Sequence, residues 1–218
     1  MKIKAIKTAS DLYVVATDFN RAYRKFRRAT RPELDLTRSD HREALLSWLR
    51  RWGCRQFKVS DLPLASQNIL SWHETWAARL PERELHLCDL CQRPLEDLAL
   101  AYDALRHETA SYQERRTGRV RKRVGPTGAS KILFALRPRI AVAWDGAMQA
   151  DFGYKNGSAY GYQAFLVHVQ DDLADLARQC RGLGFPLRDL PNQLGRPDAT
   201  VPQLAGEYYW LRTRGQEV

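Results

Sequence analysis

The chain has 218 residues, of which 44% are hydrophobic, and its 35 Lys and Arg against 25 Asp and Glu give a net charge of +10. This length and composition allow a sizeable core, and the excess of positive charge favours an acidic polymer as partner. There is no run of about 18 apolar residues and no cleavable leader, so we expect a cytoplasmic protein that does not enter the membrane.

Helical periodicity dominates the beginning of the chain. Ser10 and Asp11 precede apolar residues at helical spacing, which predicts one helix over residues 10 to 30. The second half of this helix is rich in arginine, and we expect it to contact DNA phosphates through Arg24, Arg27 and Arg28.

Three more helices are predicted before residue 110. The first begins between residues 37 and 40 and ends at Gly53, and the second begins at residues 60 to 61 with Pro63 just inside. Pro94 marks the start of the third. On the second, Trp72 and Trp76 lie four residues apart, which is typical of core packing and also suits a stacking surface for bases.

The four cysteines leave two alternatives open. Cys88 and Cys91 form a CxxC pair, which is half of a structural zinc site, whereas Cys54 and Cys180 are isolated. Either all four converge on one metal, or they are reduced thiols that behave as small hydrophobic residues. The five histidines show no paired metal-binding spacing, so we expect no catalytic metal and no cofactor.

Residues 115 to 123 carry six basic side chains in nine positions. A glycine-containing turn follows and leads into a helix, whose free backbone N–H groups can bind a phosphate. Thr127 or Ser130 is the expected helix cap. The residues expected to bind DNA here are Arg119, Arg121, Lys122, Arg123, Gly125, Thr127 and Gly128. The alternative is a solvated flexible loop.

An acidic residue lies just beyond this helix. Pro138 ends the helix, and a short apolar passage leads to Asp145, about 18 positions past the glycine turn, at the start of another short helix. A helix N-cap and a catalytic acid are equally good interpretations of Asp145, and both can hold. Lys131 is either an exposed helix lysine or a second catalytic group.

The remaining elements are one long helix and a tail. Apolar residues three and four apart predict a helix over residues 158 to 181, and the tail from Phe185 is expected to be a loop that returns to the body through residues 208 to 210. The whole is predicted to be an all-α monomer over residues 1–218, compact or divided into two lobes (about 1–110 and 111–218) around a cleft, without a clear linker.

The segment from Val124 to Met148 resembles the helix-hairpin-helix DNA glycosylase superfamily. The resemblance places Gly125 on the second hairpin glycine, Ala129 on a small packed residue and Asp145 on the essential carboxylate. It covers roughly 30 of 218 residues, and it departs from the family at three positions. Arg123 replaces the first glycine, Pro126 lies inside the turn, and Thr127 stands where bifunctional members carry a lysine nucleophile.

The resemblance implies an enzyme that cleaves the N-glycosidic bond of a damaged or modified base flipped out of double-stranded DNA, without a lyase step unless Lys131 supplies it. Base excision of this kind serves DNA repair or antiphage defence. One carboxylate beside the sugar stabilises the positive charge of the transition state. An aromatic pocket receives the base, and its candidate residues are Trp144, Tyr154, Tyr160, Tyr162, Trp72 and Trp76.

Two other functions remain open at this point. One is a non-enzymatic nucleic-acid binder, regulatory or phage-defensive, that uses the same basic surfaces. The other is a nuclease or toxin acting on RNA through His107, Glu108 and Glu114, although a metal-binding carboxylate cluster is missing from the sequence. Motifs for a nucleotide-binding loop, a dinucleotide site or a hydrolase nucleophile elbow do not occur.

Overall fold

The computed structural model describes residues 1–116 and 118–216 of the chain. In these residues the protein is mainly helical, as predicted, with one two-stranded sheet. The helices are α1 (Ile3–Ala16), α2 (Phe19–Ala29), α3 (Ser39–Arg51), α4 (Leu62–Trp76), α5 (Gln92–His107), α6 (Gly125–Leu136), α7 (Gly146–Asp151), α8 (Ala159–Gly182), α9 (Leu190–Gln193) and α10 (Val201–Arg212). The strands are β1 (Thr109–Arg115) and β2 (Gly118–Arg123), which pair antiparallel.

One continuous cluster of buried side chains extends from Ile6 to Tyr209. The helix α5 packs against both α6 and α8, and α1 packs against α10, so the first and last helices of the described chain are neighbours. Elements on both sides of residue 110 therefore share a core. The division into two lobes at that point stays a prediction.

Four helices predicted from periodicity are confirmed. These are α3, α4, α5 and α8, whose starts agree with the predicted caps and prolines to within about two residues. Gly53 adopts a positive φ of 81° just after α3, a conformation that glycine adopts without steric cost. Ser158 caps α8 by accepting a hydrogen bond from the Gly161 N–H at 3.1 Å.

The single helix predicted over residues 10 to 30 is wrong, because the chain forms α1 and α2 with a break between them. Thr17 is extended at the end of α1. Its hydroxyl donates to the Tyr13 carbonyl at 3.0 Å and accepts from the Phe19 N–H at 3.4 Å. A threonine side chain that competes for backbone groups in this way ends a helix that apolar periodicity alone would continue.

The tail predicted as a loop is also wrong, since its last part is α10. Thr200 caps this helix by accepting a hydrogen bond from the Gln203 N–H at 3.3 Å, and Pro202 occupies its first turn, where a missing N–H has no consequence. Tyr209 is fully buried. Pro202, one of the prolines that suggested a loop, thus lies in the first turn of a helix.

The basic stretch before Gly125 belongs to the β1–β2 hairpin instead of a loop. Arg119, Arg121 and Arg123 alternate along β2 and are exposed, as side chains on one face of a strand are. Gly125, with φ of 69°, begins α6, and neither Thr127 nor Ser130 caps it. The glycine turn therefore connects a strand to a helix.

Candidate functional site

A cleft of about 510 Å³, open mouth included, lies where five separate parts of the chain meet. Its walls are largely aromatic, and Asp145 and Lys131 are both among the lining residues. The main lining residues are Phe19, Trp52, Lys131, Trp144, Asp145 and Trp210. We call it the aromatic cavity.

Asp145 is the N-cap of α7. Its Oδ1 accepts hydrogen bonds from the backbone N–H groups of Ala147 at 3.0 Å and Met148 at 3.1 Å. Its Oδ2 accepts a hydrogen bond from the Arg214 guanidinium at 2.6 Å. The carboxylate keeps 22% of its side-chain surface exposed, so it remains reachable from solvent.

The segment before Asp145 is held by buried hydrogen bonds. The Ser130 hydroxyl donates to the Trp144 carbonyl at 3.1 Å and accepts from the Trp144 N–H at 3.2 Å. The Tyr162 hydroxyl donates to the Val142 carbonyl at 3.0 Å. Since these partners lie in the core, the acid at the end of the segment has a fixed position.

Lys131 reaches the aromatic cavity from the side of α6. Its Nζ donates to the Trp52 carbonyl at 2.5 Å and lies 5.5 Å from the centroid of the Trp52 ring. Burial lowers the pKa of the Lys131 ammonium, an effect that the nearby Cys54 and Asp145 partly oppose. Lys131 is thus half-buried beside the Asp145 carboxylate, whereas the sequence favoured an exposed helix lysine.

Arg214 covers one side of the carboxylate. Its guanidinium lies 3.7 Å from the centroid of the Trp210 ring and donates to the Trp210 carbonyl at 2.9 Å. It thus contacts two lining residues of the cavity, Asp145 and Trp210, and keeps 34% of its side chain exposed.

The inner wall of the cavity carries a polar network. Glu207, which is 4% exposed, accepts a bidentate pair of hydrogen bonds from Arg196 at 2.8 and 2.9 Å and one from Gln203 at 3.0 Å. Tyr13 lines the same wall, and burial followed by the nearby Glu207 raises the pKa of its hydroxyl. The wall thus places the polar side chains of Tyr13, Gln203 and Glu207 along an otherwise largely aromatic cavity.

Two of the predicted pocket residues are corrected to core residues. Trp72 is 3% exposed and donates its ring N–H to the Ala101 carbonyl at 2.9 Å, and Tyr162 is fully buried with its hydroxyl satisfied. Trp76 is covered by Arg79, whose guanidinium lies 4.8 Å from its ring centroid. Of the six predicted pocket residues, Trp144 lines the aromatic cavity.

The other two predicted pocket residues lie apart from the cavity. The rings of Tyr154 and Tyr160 meet edge to face, with their centroids 6.1 Å apart, and Tyr160 is 74% exposed. Neither residue lines the aromatic cavity. Sequence reasoning missed the other aromatic residues that line it, which are Tyr13, Phe19, Trp52, Phe134 and Trp210. No local pattern marks them, because they come from five different elements: α1, α2, the residue after α3, α6 and α10.

The basic hairpin leads directly into the helix that carries Lys131. The strand β2 ends at Arg123, α6 begins at Gly125, and Lys131 lies six residues further on, which at 1.5 Å per residue is about 9 Å along the helix. Arg119 lies 4.2 Å from the Tyr112 ring centroid and 3.5 Å from a Glu114 oxygen, so part of the charge is balanced locally. Arg123 is exposed, Lys122 is half-buried, and Arg121 donates to the His107 carbonyl at 2.5 Å.

The N-terminus of α6 is partly covered. The Gln56 side chain donates to the Val124 carbonyl at 2.6 Å, and a Cβ on Gly128 would come within 2.7 Å of the Gln56 amide nitrogen. Gly128 is buried, whereas Gly125 and Thr127 are half-exposed. A phosphate at this helix start would therefore approach Gly125 and Thr127 from the side of β2.

The second predicted DNA-binding set lies in a different concavity. Arg24, Arg27 and Arg28 on α2 line a groove that does not include Asp145 or Lys131. Two of the three residues considered for RNA cleavage are engaged elsewhere, since Glu114 pairs with Arg119 and the His107 ring contacts the Asp103 carbonyl at 2.8 Å.

Comparison with protein-family models, with curated proteins and with solved structures finds no match for this chain. None of the described helices combines the length and apolar character that a bilayer span requires. In residues 1–116 and 118–216, no three His, Cys, Asp or Glu side chains come together as metal ligands. Cys54 and Cys180 are buried, and Cys88 and Cys91 are exposed.

Proposed function

We propose that the protein releases a damaged or modified base from DNA by cleaving its N-glycosidic bond in the aromatic cavity. The observation that carries this proposal is the presence of a partly exposed carboxylate, Asp145, and a cation, Lys131, in a single aromatic-walled cleft. An everted base requires such an aromatic pocket.

The chemistry assigns one role to each charged group. Positive charge develops on the deoxyribose as the bond breaks, and the Asp145 carboxylate at the rim stabilises it and orients the attacking water. The departing base gains negative charge, which the Lys131 ammonium stabilises by donating a proton. No Schiff base is needed for these steps, so the proposed enzyme is monofunctional.

Double-stranded DNA is the proposed partner of the basic hairpin. The exposed cations of β2 neutralise phosphates, and the half-exposed start of α6 adds backbone N–H groups. The glycosylase resemblance supports this through α6 and Asp145, whereas β2 stands before Gly125 where a helix-hairpin-helix protein has a helix. A glycosylase-like fold remains part of the proposal.

The decisive variant is Asp145→Asn. Asparagine caps a helix as well as aspartate does, so α7 keeps its start while the negative charge is lost. We expect base release to fall by at least about 100-fold, the size of effect that follows loss of one transition-state electrostatic contact. The measurement is alkali-revealed strand cleavage after incubation with DNA that contains damaged bases and phage-type modified bases.

Asp151→Asn is the matched control. Asp151 also pairs with an arginine, Arg212, at 2.7 Å, but it does not line the aromatic cavity. We expect it to release bases at the wild-type rate, and we expect both variants to bind DNA as the wild type does. Equal loss of binding and release in Asp145→Asn would contradict the proposal, because it would mark a purely structural acid.

A second candidate function is DNA binding without catalysis. Both oxygens of Asp145 already have partners, in the α7 backbone and in Arg214, which is what a structural acid would show. In this case affinity for DNA would fall steeply with salt, and no abasic site would accumulate with any base of the panel.

A further inference from the structure

A groove of about 1660 Å³, open solvent included, lies apart from the aromatic cavity and is lined by six arginines. We call it the arginine groove. Its arginines come from three separate segments, which are α2 with the residues after it, the loop after α6, and the turn before α9. They are Arg24, Arg27, Arg28, Arg31, Arg139 and Arg188. Two acids, Asp189 and Asp198, also line it.

Most of this charge has no partner within the protein. In the part of the chain that the structure describes, Arg139 pairs with Glu84 at 2.5 Å, and the other five arginines of the groove form no ion pair. Five guanidinium groups that converge on one concavity repel each other, and an external anion relieves that repulsion. The groove is therefore built to bind a ligand with several negative charges.

The ligand chemistry follows from the side chains. Planar guanidinium forks match phosphate oxygens, and the groove has few aromatic surfaces, since Tyr23 is 5% exposed. A peptide or a membrane would need large exposed apolar anchors, whereas the exposed apolar residues of this lining are the prolines Pro32 and Pro197. The groove thus suits a phosphodiester backbone that is recognised without regard to sequence.

The shape favours one strand over two. Sites for unpaired strands are typically positively charged grooves that follow the backbone, and a concave lining with arginines from three segments has this form. The groove also shares α2 with the aromatic cavity, because Phe19 lines the cavity and Arg24 lines the groove. Five residues of helix separate them by about 8 Å.

We infer that the arginine groove binds an unpaired nucleic-acid strand through its phosphates. This goes beyond base release, because it requires no chemistry at Asp145 and adds a single-strand site to the proposed duplex contact at the hairpin. DNA with an unpaired segment next to the target base would then contact both surfaces.

The test compares two triple variants of the full chain. The groove variant is Arg24→Ser, Arg28→Ser and Arg188→Ser, all exposed positions. The control variant is Arg93→Ser, Arg178→Ser and Arg181→Ser, which removes the same charge from exposed positions that do not line the groove. Binding of a labelled 12-nucleotide oligodeoxythymidine is followed by fluorescence anisotropy at several salt concentrations, and circular dichroism verifies that both variants are folded.

We expect the groove variant to bind the unpaired strand at least 10-fold more weakly than the control variant. The plot of the logarithm of the binding constant against the logarithm of salt concentration should become less steep by about 2, since each lost contact with a single strand removes about 0.7 from the slope. Equal affinity and slope in the two variants would overturn the inference. No base is released in this assay, so its result is independent of the proposed glycosidic cleavage.

Two further ligands distinguish the source of the phosphates. The groove variant should lose less affinity for a blunt duplex than for the unpaired strand. An equal or larger loss of affinity for the duplex would assign the groove to duplex DNA instead. Inorganic tripolyphosphate should displace the oligonucleotide only at a large molar excess. Displacement at comparable concentrations would show that the groove binds a free polyphosphate, which would also overturn the inference.

Discussion

The surroundings of Lys131 differ from those of an exposed lysine because the side chain is largely buried. A solvent-exposed lysine on α6 would carry a full hydration shell, whereas Lys131 contacts the Trp52 carbonyl and ring. Burial lowers the pKa of its ammonium, and the nearby Cys54 and Asp145 partly oppose this shift. A lysine in this balance gives up its proton more readily than an exposed one, which suits donation to a leaving base.

Lys131→Met tests this role and keeps most of the apolar stem. We expect base release at neutral pH to fall by about 100-fold, as is typical for loss of a general acid. The protonated form is the active one and its pKa lies below the usual 10.5, so wild-type release should decline as pH rises toward that value. The variant should lack this decline. Initial rates of base release by the wild type and by Lys131→Met, measured between pH 7 and pH 10, test this prediction.

The competing role for Lys131 is a nucleophile. Sodium borohydride reduces a Schiff base to a stable cross-link between protein and DNA. We expect no cross-link with the wild type. A cross-link that forms with the wild type and disappears in Lys131→Met would replace the proton-donor role with a lyase role, and it would also contradict the monofunctional assignment.

At the level of secondary structure, the connection from α6 to α7 determines where the acid lies. Ser130 on α6 makes two hydrogen bonds to the backbone of Trp144, one as donor and one as acceptor. Both are buried, so their loss leaves unsatisfied backbone groups in the core. This serine therefore links a helix that follows the basic hairpin to the residue directly before Asp145.

Ser130→Ala should lower the free energy of unfolding by about 1–3 kcal/mol, the cost of unsatisfied buried groups. It should also slow base release without changing DNA affinity, because the variant displaces Asp145 and leaves the cations untouched. Urea denaturation and the abasic-site assay measure the two effects. Ser158→Ala, which removes the α8 cap at a cost of about 1 kcal/mol, is the control for stability loss alone.

Local signals determined which elements the sequence could predict. The helix α3 begins and ends where capping residues and Gly53 indicate, and Asp145 is the helix cap that its context suggested. The β1–β2 hairpin was missed because long-range contacts fix it. The Tyr112 N–H donates to Asp61 at 2.8 Å and the Asn68 amide donates to the Thr109 carbonyl at 2.9 Å, and neither pairing has a sequence signal.

At the scale of the whole molecule, the aromatic cavity exists only because distant segments pack together. Phe19 begins α2, Trp52 follows α3 and Trp210 belongs to α10, so the rings come from both ends of the chain. Sequence reasoning found Trp144, Lys131 and Asp145, which lie within one short segment. It could not find the others, because nothing in a single sequence indicates that α1 packs against α10.

Arg196 joins the elements that close the cavity. Its guanidinium donates to Ser10 on α1 at 2.6 Å and to both carboxylate oxygens of Glu207 on α10. The Arg196 side chain is 14% exposed and the Glu207 side chain 3%, so the pair is largely removed from water. A buried pair of this kind contributes little net stability, but losing one partner leaves a charge without compensation.

Arg196→Met should therefore lower the free energy of unfolding by about 3–5 kcal/mol, whereas the double variant Arg196→Met, Glu207→Gln should lose much less. Urea denaturation of the wild type, both single variants and the double variant gives the coupling between the two residues. Base release should fall in the single variant, because an unpaired Glu207 draws water into the inner wall of the cavity. If Arg196→Met lowers the free energy of unfolding by less than about 1 kcal/mol, apolar packing alone holds α1 against α10. The polar wall would then serve only the ligand.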